Sequence, residues 1–437
     1  MASPDGNDGE RRGGLSRRDF LIATAGVVGG AVAVPAALTP AHGATIAPDF
    51  TVGTVLDGLR ATVRATGPGE VRIRAWPLNS PSSITSSPWV ATNAANAAEL
   101  HLPLVPRPRE AWAWQGVVRT GPGTTHVRGP VNTMPARPAP GEAARFTFAF
   151  GSCVTQGKAA PALGVVADAD PVLFALLGDL GYFDDADSYP DIQNYAGYVA
   201  GFRDLLIRSD FRRLLAGTAF YGMQDDHDYG YDQCWRDTVQ PHAAQAYADL
   251  IPGARWPEDS YRAWSIGEVD FFLTDNRRYR DLPANPPYEN GRYASNLGSA
   301  QREWLFDGLA GSASPLKVVF APMSLAWYWG RLEREEIQAF VNANVTGKVL
   351  FLTGDKHAAG FASFPDRIWE MLAGPIRNST KHKTPIRTGV LWTENGAGPA
   401  LSDCVGMVDV DTLSSSTATL RWVKGDGTEL HRVVLPL

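Results

Sequence analysis

Val172-Leu173-Phe174-Ala175-Leu176-Leu177 is an unbroken apolar run that stops abruptly at Gly178-Asp179, with Tyr182 three residues further on. A short apolar run closed by glycine and a polar residue reads as a buried strand. The same grammar recurs along the second part of the chain. Phe146 to Phe150 ends in Gly151-Ser152-Cys153, and Phe220 to Met223 ends in Gln224-Asp225-Asp226-His227-Asp228. Val269 to Leu273 ends in Thr274-Asp275-Asn276-Arg277, and Val349 to Leu352 in Thr353-Gly354-Asp355-Lys356-His357. A further run covers Val318 to Phe320. Segments 191–217, 240–251, 299–310 and 331–344 mix apolar and charged residues at helical spacing. Strands alternating with helices predict a layered α/β domain, here a β-sandwich flanked by helices.

Open α/β sheets place their sites at the carboxyl ends of the strands. Here those ends deliver Cys153, Asp179, Tyr182, Asp226, His227, Arg277, Asp355 and His357 to one edge. Gathering Asp179, Asp226 and Asp355 in one cleft costs several kcal/mol per buried ion unless cations offset the charge, so metal ions are expected. Oxygen ligands suit calcium, magnesium or manganese, whereas a thiolate, a phenolate and an imidazole suit iron or zinc. The ligand types therefore suggest two unlike metals, one with Cys153, Tyr182 and His357, the other with carboxylates, and Asp179 available to bridge them.

Two metals about 3.5–4 Å apart can hold a hydroxide and clamp a phosphoryl group. Arg277 is suited to grip a phosphate oxygen bidentately, and His227 to protonate a leaving alkoxide. Asp225, Asp226, Asp228 and Asp232 fall within eight residues, so not all can be ligands. Asp226 and Asp232 are the candidates, and Asp225 and Asp228 read as capping or orienting groups. No Ser or Thr is placed as a phosphate-accepting nucleophile with a base, so direct attack of a metal-bound hydroxide, without a phosphoenzyme, is the expected chemistry.

The ordered series GSC (151–153), GDLGY (178–182), DDHDYG (225–230), DNRRYR (275–280) and GDKH (354–357) resembles the alkaline phosphatase D (PhoD-like) family of metallophosphoesterases. That family shares a tyrosine-containing iron site with purple acid phosphatases. The resemblance spans the whole chain. It implies a ferric ion on Cys153, Asp179, Tyr182 and His357, and calcium on Asp179 and Asp355 with one more ligand from the DDHDYG region. The chain departs from the pattern where an asparagine is expected soon after that motif and Asp232 stands instead. An added carboxylate could shift the selectivity of the second metal, with magnesium, manganese or zinc as the other options, and it leaves open whether Asp226 or Asp232 is the ligand. Arg277 matches the arginine of the family's Asp-x-Arg-x-Tyr-Arg motif. The implied activity is that of a phosphatase and phosphodiesterase acting on phosphate mono- and diesters outside the cytoplasm. The rival readings are a phospholipase D-like or wall-polymer phosphodiesterase, and a surface binding protein that has lost its metals.

The rest of the chain frames this domain. Ser16-Arg17-Arg18-Asp19-Phe20-Leu21 precedes an uncharged Ala/Val/Gly stretch and Ala41-His42-Gly43. That pattern resembles a twin-arginine export signal over residues 1–43, with the twin-arginine translocase as a transient partner and the metal loaded before export. The alternative, a retained membrane anchor, fits poorly with the Gly/Ala content and Pro35. From about Phe50 to His126 the pattern has period two. This predicts a small all-β domain of immunoglobulin or fibronectin type over 44–128, followed by a Pro/Gly-rich linker over 129–144 and the catalytic domain over 145–437. His101 and His126 read as surface histidines. No other uncharged run approaches the ~20 residues of a spanning helix, so no transmembrane helix is expected in the mature chain.

Of the 437 residues, 44% are hydrophobic and 20% charged, which supports real cores. A net charge of −6 leaves no basic excess for nucleic-acid phosphates. Three cysteines cannot build a disulfide framework; Cys153 reads as a ligand and Cys234 and Cys404 as structural thiols. Trp327-Tyr328-Trp329 reads as a cleft wall or core packing, Lys381-His382-Lys383 as a solvated loop, and the protein as a monomer.

Overall fold

Two seven-stranded mixed sheets lie at the centre of the chain. The computed structural model describes residues 46–103, 105–184, 193–280, 295–326, 329, 331–364, 367–378, 390–394 and 403–437. The expected export signal, Trp327-Tyr328 and the Lys381-His382-Lys383 spot lie outside these residues.

In the first sheet, strands Ala219–Met223, Leu173–Leu177 and Arg145–Val154 run parallel. Cys404–Asp411 then joins Arg145–Val154 antiparallel, and Thr417–Lys424 and Glu429–Pro436 complete a meander. In the second sheet, Val269–Leu273, Leu316–Ala321, Lys348–Thr353 and Ile368–Ala373 are parallel neighbours. Arg262–Ile266 flanks them on one side, and Ala359–Phe364 and Val390–Glu394 on the other, each paired antiparallel.

Side-chain alternation explains the layers. Phe148, Phe150, Ala175 and Leu177 of the first sheet share a core with Phe271, Val318, Phe320, Leu350 and Leu352 of the second. Phe148 meets Phe271 edge-on at 5.2 Å. The intervening residues face outward: Ala149, Phe174, Leu176 and Phe220 pack with helices Pro161–Ala169, Tyr195–Leu206, Ser209–Leu215 and Pro241–Leu250. Phe272, Val319 and Phe351 pack on the other side with helices Gly298–Gly311 and Arg331–Asn344. These strands are therefore buried on both faces, which is why their sequences are continuously apolar rather than alternating.

The N-terminal segment is all β. Pro48–Val55, Leu59–Ala65 and Ala97–Leu102 form one antiparallel sheet; Glu70–Pro77, Trp112–Arg119 and Val127–Met134 form the body of another. Asn132 donates to Thr51 at 2.8 Å between them. Residues 129–134, expected in the linker, continue the last strand; it lies at a sheet edge, where Pro130 costs no ladder hydrogen bond. The apolar core runs on from this segment into the central sandwich: Tyr221 stacks on Trp264 at 4.3 Å and donates its hydroxyl to the Val55 carbonyl. Among the described residues, no helix is long and apolar enough to cross a membrane.

Candidate metal centre

The strand Arg145–Val154 brings Cys153 to the sheet edge, and the turns after Leu173–Leu177 and Lys348–Thr353 bring Asp179 and Asp355. All three are non-glycine residues with positive φ, at 64°, 58° and 60°. Left-handed backbone costs an ordinary residue about 1–2 kcal/mol, and such outliers cluster where the surroundings force a functional geometry. Gly178 precedes Asp179 at φ 84°, and a Cβ there would lie 2.3 Å from the Cβ of Asp225. The close approach of these two loops thus requires glycine.

Four unlike donors converge here. The Tyr182 hydroxyl is 3.0 Å from Asp179 Oδ2 and 2.9 Å from His357 Nε2, and Cys153 Sγ is 3.4 Å from the same Asp179 oxygen. Asn378 Nδ2 reaches His357 Nε2 at 3.3 Å. Gln156 clamps Tyr182 by accepting from its N–H at 2.9 Å and donating to its carbonyl at 2.8 Å. Burial, with Asp179 adding to it, pushes the Cys153 thiol and the Tyr182 phenol well above their ordinary values. Asp179 is raised in the same way by burial and by Asp226, Asp228 and Asp355, against the opposing pull of His227. Its Oδ1 is buried without a hydrogen bond. A sulfur, a phenol oxygen, a carboxylate and an imidazole, with a buried carboxylate oxygen still to be satisfied, fit a cation of the iron or zinc type.

The second cluster is purely acidic. Asp179, Asp225, Asp226 and Asp355 present oxygens within 4.8 Å of one another. Arg277 is already among them: its Nε donates to Asp225 Oδ1, and its Nη2 lies 3.1 Å from Asp226 Oδ2 and 3.3 Å from Asp355 Oδ2. The guanidinium has no exposed surface. Burial opposes its charge, yet the three carboxylates hold its pKa well above the usual arginine value. The guanidinium thus stands among the carboxylate oxygens that a second ion would use.

His227 stands at the mouth. Its Nδ1 is 2.7 Å from Asp184 Oδ1, its ring lies 4.2 Å from that of Tyr182, and its Nε2 is 3.9 Å from Asp232, whose side chain is 65% exposed. Burial lowers its pKa, but Asp179, Asp184 and Asp226 outweigh that and raise it to about 10. Asp228 turns inward, accepting from the N–H groups of Asp179, Leu180 and Asp225 at 2.7, 2.8 and 2.9 Å.

A family model described as PhoD-like phosphatase matches residues 148–395, more than half of the chain and all of this edge. The chain belongs to the PhoD-like phosphatase family. A structure titled as that of PhoD superposes with a TM-score of 0.70 at 17% identity, covering 91% of this chain and 90% of that one. A purple acid phosphatase from yellow lupin (Lupinus luteus) seeds superposes at 0.70's near neighbour, 0.68, with 11% identity over 89% of this chain and 74% of that one. At these identities the likeness is one of fold: mixed sheets with few helices. No curated protein matches the sequence. PhoD-like membership, with the candidate metal-binding groups, supports a metal-dependent phosphoesterase.

Within this PhoD-like edge, Cys153, Asp179, Tyr182, Asp226, His227, Asp355 and His357 come together as the sequence suggests. Asp232 does not join them. Asp226 begins the 3₁₀ turn His227–Tyr229, Gly230 ends it in left-handed conformation, and the chain then carries Asp232 outward to solvent. Arg277, expected to grip substrate, is enclosed by carboxylates instead. Asp184 is the group sequence reasoning missed. Asp225, read as a capping or orienting residue, holds Arg277. Cys234 and Cys404 are buried free thiols, His101 and His126 face Asp57 and Trp89 near the surface, and Trp329 packs on Phe351 in the core.

Proposed function

We propose that this chain is a secreted phosphoesterase that hydrolyses phosphate mono- and diesters by direct displacement with water, using iron held by Cys153, Asp179, Tyr182 and His357. The observation that carries this is the convergence of those four side chains: the Tyr182 hydroxyl and Cys153 Sγ lie 3.0 and 3.4 Å from Asp179 Oδ2, and His357 Nε2 lies 2.9 Å from the same hydroxyl. A cation bound there supplies a Lewis acid for a phosphoryl oxygen and lowers the pKa of water toward about 7. His227, whose pKa Asp179, Asp184 and Asp226 raise against the effect of burial, sits between the enclosed donors and the exposed Asp232, where it can deliver a proton to the leaving alkoxide oxygen. Asp184 fixes the ring through Nδ1 and leaves Nε2 for the substrate. Calcium, the ion expected beside iron, would have to share Asp226 and Asp355 with Arg277.

The Ser16–Leu21 arginine motif supports export of the folded, metal-loaded protein through the twin-arginine translocase, and a monomer is proposed. The test is hydrolysis of p-nitrophenyl phosphate and bis-(p-nitrophenyl) phosphate by protein of known iron content, with the stereochemical course followed on a chiral diester. Activity proportional to iron with inversion at phosphorus is expected; retention would exclude direct displacement.

A further inference from the structure

Arg277 is built in as a resident of the acidic cluster. Its backbone N–H donates to Asp275 Oδ1 at 3.1 Å. Asp275 is itself fixed by the hydroxyls of Tyr229 and Ser260 and by reciprocal bonds with Gln301, whose Oε1 accepts from the Asp275 N–H at 2.7 Å and whose Nε2 donates to its carbonyl at 2.9 Å. The side chain then runs between Asp225, Asp226 and Asp355 with no surface exposed. Asp225 is equally enclosed, and its Oδ2 has no hydrogen bond. If Arg277 swung toward a substrate, it would leave Asp225 as a buried charge without its cation, which is strongly unfavourable. A metal ion seated on Asp226 and Asp355 at about 2.0–2.6 Å would face a guanidinium nitrogen 3.1 and 3.3 Å from the same two carboxylates.

We propose that Arg277 takes the place of the second metal ion, so that this centre holds one metal, on Cys153, Asp179, Tyr182 and His357, beside a fixed arginine. The proposal rests on the metal-binding reading of that first pocket. A planar, permanently charged guanidinium can satisfy several carboxylates at once, and it needs no supply of calcium or manganese. Its positive charge also acts on the enclosed Asp225, which burial alone would drive toward the neutral form and which shares the acidic cluster with Asp179.

Metal counting on the folded full-length protein tests this. Elemental analysis after dialysis is expected to give one iron per chain, and calorimetric titration with calcium or manganese chloride to millimolar concentration is expected to show no further saturable site. Two stoichiometric metals in the wild type would overturn the proposal while leaving the metal-dependent reading intact. A wild type that takes up no iron would overturn that reading and the proposal with it. Arg277→Gln removes the charge and is expected to open the second place: calcium uptake rises from zero to one per chain, and the melting temperature becomes calcium-dependent as it is not in the wild type. A visible band from Tyr182 or Cys153 to ferric iron reports that the first pocket survives. A folded variant with that band and no calcium uptake would count against the proposal, and the wild-type count decides it even where the variant does not fold.

Discussion

The Tyr182 hydroxyl lies 2.9 Å from Nε2 of His357, a residue 175 positions away in the chain. The hydroxyl also donates to the Asp179 carboxylate, and Gln156 ties the Tyr182 backbone to the end of the Cys153 strand. Removing the hydroxyl takes away one donor and leaves the ring packed against His227. Tyr182→Phe is therefore expected to cost little stability, about 1 kcal/mol or less. It should abolish the phenolate-to-iron band and lower metal affinity by more than the about 10–100-fold typical of outer-shell changes. Absorption spectra and metal titration check this, and an unchanged band would remove Tyr182 from the ligand set.

Asp184 meets the proposed proton donor at His227 Nδ1, 2.7 Å away. Asp184→Asn keeps the shape and removes the charge at Nδ1, so kcat should fall by about 10²-fold, the scale of a lost general acid, with iron content unchanged. The two readouts separate positioning from metal binding: loss of iron in the variant would make Asp184 part of the metal site instead.

The strands and the order of motifs were legible because the sandwich buries both faces of its central strands, which makes them continuous apolar runs with polar ends. The side-chain choices within the acidic run were not. Asp225, Asp226, Asp228 and Asp232 share a chemistry, and it is the turn His227–Tyr229, closed by Gly230, that sends Asp228 under the loop and Asp232 into solvent. Asp184 carries no local signal either, since its partner His227 is 43 residues away. Arg277 read as a substrate clamp because its spacing shows where it starts but not what encloses it. The meander Cys404–Pro436 went unread although the alternation in Thr417–Lys424 is itself a strand signal.

Cys404 offers a pH test away from the metal centre. Burial pushes its thiol from an ordinary value of 9.0 up to about 12. A raised folded-state pKa means that the unfolded chain loses this proton first, so the contribution to stability is complete below about pH 9 and declines between about pH 9 and 12. Chemical denaturation at pH 8 and pH 10.5 should show a steeper loss for the wild type than for Cys404→Ala. Parallel losses would place the thiol's titration elsewhere.

Gly178→Ala combines two penalties. The backbone at φ 84° disfavours any side chain, and the new Cβ would lie 2.3 Å from Asp225 Cβ and 2.8 Å from its nitrogen. Together these are expected to destabilise the fold by about 2–5 kcal/mol, and to lower iron content by shifting Asp179. Urea unfolding followed by metal analysis of the folded fraction measures both; a fully loaded variant of wild-type stability would refute the tight approach of the two loops.

Asp228 is the support beneath both clusters, and its substitution is the most selective test of how they are held. Its Oδ2 accepts from the N–H groups of Asp179 and Asp225, and its Oδ1 from that of Leu180. In Asp228→Asn one oxygen becomes an NH₂ group that can only donate. Either the single Leu180 bond is kept and two buried N–H groups face a donor, or the reverse. Each buried group left unsatisfied costs about 1–3 kcal/mol, so a loss of about 2–6 kcal/mol is expected for the first orientation and about half that for the second. Burial raises the Asp228 pKa to about 8 although all three N–H bonds favour the carboxylate. A raised folded-state pKa means that the unfolded chain gives up this proton first, so the wild type loses stability relative to the variant between about pH 4 and pH 8, and the gap between them should narrow with rising pH. Denaturation curves at pH 6 and pH 9 measure that gap. A pH-independent gap would mean that folding does not raise the Asp228 pKa.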